Sequence, residues 1–393
     1  MASTPGSISI SEQAGGGTPS PAGAPRRALA VGLVLAVAGL VATVAEASVE
    51  PVAAAPKTVA AAPETVASVL MYHRVGNAEQ PSTSVTRAQF GAHLDYLEAN
   101  GFNVVPLGRV VEALQLGETL PPRSVAITFD DGYASVGEVA HPMLAARDMP
   151  YTVFISTGAL DAGYSGYLDW DALRGLAAEG VRFANHSRSH APLFARRDGE
   201  TRPQWRARVR ADLGDARARL IDELGAAVHQ SPPLLAYPYG EYSLELMDLA
   251  AEMGFVAFGQ QSGAIGIHSN SLALPRYAMN ERFAVLDDFA LKVNSRALPV
   301  IDQQPLDPVR TTPEPPRLRL TLADLPAVAR AGLACYYAGE RLLPSWLEAD
   351  RRLRVEGSAP LPVGRSRYNC TAPDGEGRYY WFSQLWILGS GGT

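Results

Sequence analysis

From residue 68 to residue 294 the chain keeps one rhythm: a short apolar run, a turn signal, then apolar residues spaced three and four apart. Short apolar runs read as buried strands, and the 3.6-residue spacing reads as helices facing a core. SVLMYH (68–73) precedes a helical stretch carrying Phe90, Leu94 and Leu97 that closes at Gly101. NVVPL (103–107) leads into a second helix, and SVAITFDDG (124–132) is a strand that stops at Gly132. The alternation continues through YTVFIST (151–157), VRFANHS (181–187), PLLAYPYG (233–240), FVAFGQ (255–260) and LALPRYAM (272–279), with the longest helix over 203–224. Parallel neighbours need a crossover, so repeated strand–helix units imply a parallel sheet. Roughly seven units predict an α/β fold of the distorted (β/α)7 barrel type over 67–300.

The flanks differ. Residues 301–317 hold five prolines and no periodicity, which predicts a linker. Beyond it, LRLTL, RLRVEG and RYYWFSQLWIL predict a small β-rich C-terminal module over 318–393. A core of that size is marginal alone, and a cross-link helps it. The YYWF run (379–382) and Trp386 suit either a carbohydrate-binding face or a sandwich core, with the core reading ahead.

At the other end, residues 1–25 are rich in Gly, Ser, Pro and Ala, which favours disorder. Arg26 and Arg27 then precede an uncharged apolar run over 28–45 and a small-residue exit at Ala45 and Ala47. That pattern reads as an export segment: a cleaved secretory signal, or a retained membrane-spanning anchor with the arginines on the cytoplasmic side. The Ala/Pro/Val-rich stretch 48–66 serves as a tether. The expected location is extracytoplasmic: periplasm, cell surface or secreted. Export favours a disulfide between Cys335 and Cys370 over two buried free thiols.

Composition narrows the chemistry. A net charge of −6 without a long basic run argues against nucleic acid as a partner. Two cysteines are too few for a thiolate zinc cluster, so any metal takes histidine and carboxylate ligands.

Function in a β/α barrel gathers at the C-terminal ends of the strands. There the sequence sets Asp130 and Asp131, His186 and His190, Pro238-Tyr239-Gly240, and His73. Taken singly, these are turn formers, loop histidines, a turn and a satisfied strand-end histidine. Their coincidence at one end of alternating strands is what suggests a site. Two histidines and one aspartate fill three positions of a tetrahedral site and leave the fourth for water. Such a metal lowers the pKa of water from ~15.7 to about 7. Side chains alternate along a strand, but at a strand end Asp131 can face a metal while Asp130 stands beside it as a base. A histidine from another strand end can protonate the leaving group.

These motifs also resemble a family, the polysaccharide deacetylases (NodB-homology, or carbohydrate esterase family 4, proteins). TFDDG (128–132) resembles the first motif, HSRSH (186–190) fits H-[ST]-x-x-H, and AYPYG (236–240) resembles R-x-P-[FY]; the likeness spans about 68–295. The resemblance implies Asp130 as base, with Asp131, His186 and His190 as ligands of one divalent metal, zinc first, cobalt or nickel as alternatives. It implies an oxyanion contact from the Tyr239 N–H and a loop-steadying role for Ser187. Ala236 replaces the arginine of the third motif, and Arg276 is the residue available to stand in. No L-x-H-D motif follows the third motif. MYHRV (71–75) is similar to the branch that deacetylates poly-β-1,6-N-acetylglucosamine, which makes His73 the general acid and His268 the fallback. Tyr72, Tyr133, Tyr237 and Trp170 are candidates for stacking on sugar, against a packing role for each, and Trp170 also suits a helix start. The activity implied is N-deacetylation of a polysaccharide by a monomer, with release of acetate. Alternatives are a peptidoglycan or chitin deacetylase, an O-acetyl esterase, or a non-catalytic glycan-binding scaffold with a degenerate fold. Retention of both Asp and both His argues against the scaffold.

Overall fold

The computed structural model describes residues 65–347 and 351–389. The expected export segment lies outside the described residues. The transmembrane element is not borne out: among the described residues no helix is long and apolar enough to cross a membrane.

Six main strands build the larger sheet: β1 Thr65–Tyr72, β2 Ser124–Asp131, β3 Tyr151–Ile155, β4 Arg182–Asn185, β5 Leu234–Ala236 and β6 Val256–Phe258. They pair in that order, all parallel, so every strand ends on the same side. All eight residues of β2 are buried, and their alternation shows why the sheet curls. Val125, Ile127 and Phe129 join the larger core beneath the helices, whereas Ala126 joins Ala184, Ala236, Phe154 and Phe258 in a second core. Small residues on that second face leave room for the strands to bend around two phenylalanines, whose rings lie 5.7 Å apart.

The expected closed barrel is corrected to a curled, open sheet. No ladder joins β6 to β1. The gap is crossed by residues 271–278, which touch Phe258 through a bridge at Leu274 and β1 through Tyr277–Ala278. Two of the apolar runs counted as strands, NVVPL and LALPRYAM, contribute only two-residue pieces, Asn103–Val104 and Tyr277–Ala278. Both carry a proline, which fixes φ and removes a ladder donor.

The helix Arg202–Leu224 braces the site from outside the sheet. A capping box between Thr201 and Gln204 starts it, and its apolar face buries Trp205, Val209, Leu213 and Leu220.

The C-terminal module is a sandwich of two sheets. One is built on β7 Gly364–Pro373 and β8 Tyr379–Leu388; the other runs Val300–Gln304, Arg317–Leu322, Arg352–Glu356, Ser345–Leu347. Leucines 318, 320, 322 and 353 meet Tyr368, Tyr380 and Trp386 between them, so much of the aromatic run is core. Cys335 and Cys370 lie directly opposite in register and form a disulfide. The proline-rich segment is no free linker. Val300–Gln304 pairs with Arg317–Leu322, and Val309–Arg310 pairs with β8, edge positions that tolerate the intervening prolines.

Candidate functional site

Three of the strand ends converge. Asp131 closes β2 with φ +75, a left-handed conformation that turns its carboxylate away from the strand's alternation. Gly132 follows at φ +89, and a Cβ there would meet the Ile155 side chain at 2.8 Å. Asp130, still within the strand, keeps its side chain on the inner face beside Thr128.

His186 and His190 sit on the loop after β4, which is held from several sides. The Asn185 side chain donates to Leu213 O at 2.9 Å and accepts from Ser187 N at 2.7 Å. Ser187 Oγ accepts from His190 N at 2.9 Å, the loop-steadying contact expected of that serine. Asp212, on the bracing helix, accepts from the backbone N–H groups of Arg188 and Ser189. Gly158 N donates to Arg188 O at 2.9 Å, and any Cβ on Gly158 would come within 2.4 Å of that oxygen. Ser187 and His190 both adopt positive φ, so the loop holds its two histidines in a conformation that its neighbours enforce.

The resulting geometry is that of a metal centre. One ligand atom each from Asp131, His186 and His190 lies within 4.8 Å of the others. Nε2 of His186 and of His190 stand 3.2 and 3.0 Å from Asp131 Oδ1. Ligand atoms around a tetrahedral zinc, at bonds of about 2.1 Å, are about 3.4 Å apart. Asp131 Oδ1 is buried and has no hydrogen-bond partner among the described residues, so its lone pairs are available to a cation. Nδ1 of His186 donates to Ala236 O at 2.8 Å, which leaves Nε2 as the bare lone pair aimed at the same point. The residues fit a divalent cation.

Charges follow from burial and neighbours. Burial pushes the Asp131 carboxyl up, but the two histidines and the nearby His73 pull it well below the usual carboxylate range. Burial also opposes ionisation of Asp130, and Arg276 overcomes it, leaving that carboxyl lowered. Arg276 is fully buried and meets Asp130 with both arms of its fork, Nη1 to Oδ1 at 2.7 Å and Nη2 to Oδ2 at 2.8 Å. Its Nε donates to Gly259 O at 3.0 Å. Arg276 reaches this carboxylate from the segment that crosses the gap in the sheet.

His73 directly follows β1. Burial lowers its pKa against the raising charges of Asp131 and Asp130, so the ring rests neutral. His268 lies elsewhere. It follows Ile265–Gly266, which pairs with Thr65 and Ala67 at the start of β1, about 20 Å of strand from His73. Topology thus separates the fallback acid from the metal ligands.

Tyr239 sits beside the ligands, its ring 4.7 Å from that of His190 and its φ at +60. Two of the expected sugar platforms are corrected to core residues. Tyr72 is buried against Phe90 and Phe129 with its hydroxyl on His93, and Tyr237 is buried with its hydroxyl on Leu272 O. Trp170 opens the helix Trp170–Ala178 and bonds Asp161, with Arg219 over its ring, so it braces the fold. Tyr133 is also buried, its ring covered by Arg74 at 3.3 Å and lying 4.7 Å from that of Tyr167. Sequence reasoning missed Arg74, Tyr164, Tyr167 and Asp212. Tyr164, 63% exposed and 6.5 Å from Tyr167, extends the aromatic row outward. None of these residues carries a motif of its own; only their spatial neighbours mark them.

A sequence model of the polysaccharide deacetylases matches residues 117–258, which include β2, the histidine loop and the Tyr239 turn. The fold is of the polysaccharide deacetylase type. YxkH of Bacillus subtilis, named for its likeness to polysaccharide deacetylases, is 26% identical over 187 residues, 48% of this chain and 61% of that protein. The poly-beta-1,6-N-acetyl-D-glucosamine N-deacetylase of Escherichia coli is 25% identical over 230 residues, 49% of this chain and 33% of the relative. The chain thus spans less than two thirds of either. Among solved structures, the Streptococcus pyogenes deacetylase PplD in complex with acetate shares the deacetylase fold at a TM-score of 0.51 and 21% identity, covering 59% of this chain and 99% of that one.

Proposed function

We propose that the protein is a metal-dependent hydrolase that removes N-acetyl groups from an extracytoplasmic polysaccharide, with poly-β-1,6-N-acetylglucosamine as the leading substrate. One observation carries this reading: an orphaned, buried carboxylate oxygen faced by two histidine Nε2 atoms, next to a second carboxylate locked by Arg276. Asp131, His186 and His190 would hold one divalent cation, zinc the first choice, and it would supply Lewis acidity to the water and the acetyl carbonyl. Asp130, kept ionised and oriented by Arg276, accepts the proton of the attacking water. The Tyr239 N–H donates to the acetyl oxygen as charge develops on it, an interaction typically worth about 3 kcal/mol. His73, neutral at rest, receives the proton that Asp130 took from the water and passes it to the amine nitrogen. The C–N bond breaks, and acetate and a free amine leave. Tyr167 and Tyr164 offer ring faces on which sugar units can stack. The Cys335–Cys370 disulfide supports an oxidising, extracytoplasmic location.

The test is acetate release from a β-1,6-linked N-acetylglucosamine oligomer, with a chitin oligomer, peptidoglycan and an O-acetyl ester as competitors, each with and without chelator. Chelator-sensitive release fastest from the β-1,6 oligomer supports the reading in full. Faster release from a competitor reassigns the substrate. No release from any of them leaves a glycan-binding scaffold in its place.

A further inference from the structure

In an antiparallel pair, residues directly opposite one another share a face. The β7–β8 hairpin sets Arg365 opposite Ile387 and Arg367 opposite Leu385. Ile387 and Leu385 are buried with Tyr237, Tyr242 and Leu246 of the catalytic part, whereas Tyr368 and Cys370 point into the sandwich core. The register therefore turns Arg365 towards the catalytic sheet, and a slip of one residue would turn it away.

Arg365 grips the turn after β5 at two points. Its Nη1 donates to the Tyr239 carbonyl oxygen, and its Nε faces Glu241 Oε1 at 3.5 Å. Between these contacts the backbone is strained: Tyr239 is at φ +60 and Gly240 at φ +68. A Cβ on residue 240 would lie 2.5 Å from Gln260 Cβ, so only glycine fits there. An exposed Arg–Glu pair contributes little by itself. Here the same guanidinium also fixes a carbonyl of the residue whose ring packs on His190.

We infer that Arg365 is a positioning residue for the reaction, acting from the C-terminal module to hold the Tyr239 turn in its working conformation. The module then reaches the active site through this one side chain of β7. This inference rests on the deacetylase reading above.

The experiment compares the full-length wild type with Arg365→Ala and Arg365→Lys. It measures kcat, KM, bound zinc, and amide hydrogen exchange in a peptide covering 237–242. Arg365→Ala is expected to lower kcat about 10- to 100-fold, the usual consequence of misplacing a catalytic group by an ångström or so. KM is expected to move less than about threefold, since the substrate walls are untouched. Bound zinc stays at the wild-type level and exchange in 237–242 accelerates. Arg365→Lys, which retains a donor for the Tyr239 carbonyl, recovers part of kcat. An Arg365→Ala kcat within about twofold of wild type overturns the positioning role even if exchange changes. Unchanged exchange overturns the clamp itself. If the wild type releases no acetate from any acetylated glycan, the deacetylase reading fails, and the exchange result alone decides whether Arg365 holds the turn.

Discussion

The inner end of the catalytic sheet and the core of the C-terminal sandwich follow opposite rules. Around the metal centre the protein buries Asp130, Asp131, His186 and Arg276, and it bends Asp131, Ser187, His190 and Tyr239 into left-handed backbone. In the sandwich, among the described residues, leucines and aromatics fill the core, a disulfide ties it, and the buried carboxylate Asp374 lies at a turn near Arg378. Burying an ion pair costs about as much in desolvation as it returns in attraction. The sheet end is thus tuned for chemistry at the expense of stability, and the core of the sandwich is built for stability. Arg365 is where the two meet.

Four measurements bear on that contrast. Asp130→Asn is expected to show the largest effect, a fall in kcat of about 10²- to 10⁴-fold with zinc still bound, whereas His186→Ala or His190→Ala loses the zinc. An Asp130→Asn enzyme as fast as wild type would sink the assignment of the base. Arg276→Met leaves a buried carboxylate unpaired, so denaturant unfolding should show a loss of about 3–5 kcal/mol. Pairing it with Asp130→Leu should restore much of that stability while activity stays lost. If the double variant remained as unstable as the single, charge burial would not be what separates the two regions.

Cys335→Ser with Cys370→Ser tests the other side. Opening a loop that joins residues 35 apart should lower stability by about 2–4 kcal/mol. At temperatures where the protein stays folded, kcat should hold, because the disulfide touches no reacting group. A collapse of kcat in the folded variant would show that the sandwich core and the site are less separate than argued.

The smallest effect concerns pH. Burial lowers the pKa of His93 to about 4, against an opposing backbone contact at Ala284. Its ring is neutral in the fold, bonded to Tyr72 through Nδ1 and to Ala284 O through Nε2. The unfolded chain binds the proton near pH 6.5, so between there and pH 4 the unfolded state holds more protons. Stability from this residue is fully present above pH 6.5 and falls as the pH drops. The loss is about 2 kcal/mol between pH 7 and pH 5. A His93→Gln variant should lose that part of the pH slope; an unchanged slope would assign it to other groups.

Much of the site could be read from the sequence because its groups stand at strand ends, where the alternation of apolar runs breaks. TFDDG, HSRSH and AYPYG each combine a strand's last residues with a polar turn, and the structure brings all three to one side of the sheet. Tyr72 and Tyr237 misled because strand periodicity does not say which end of a buried aromatic finds a partner; His93 and Leu272 decided that. The barrel failed to close because the count of apolar runs could not tell a full strand from two paired residues beside a proline.

The sequence by itself determined the parallel sheet, the two carboxylates, the two histidines and the cysteine pair, since each depends on local spacing or on residue chemistry. Only the tertiary structure decided the rest. It joined Arg276 to Asp130 across 146 residues, set His268 apart from His73, and carried Arg365 onto a turn 126 residues away. Such pairings arise from how distant segments pack, and no local pattern records which arginine will face which carboxylate or carbonyl.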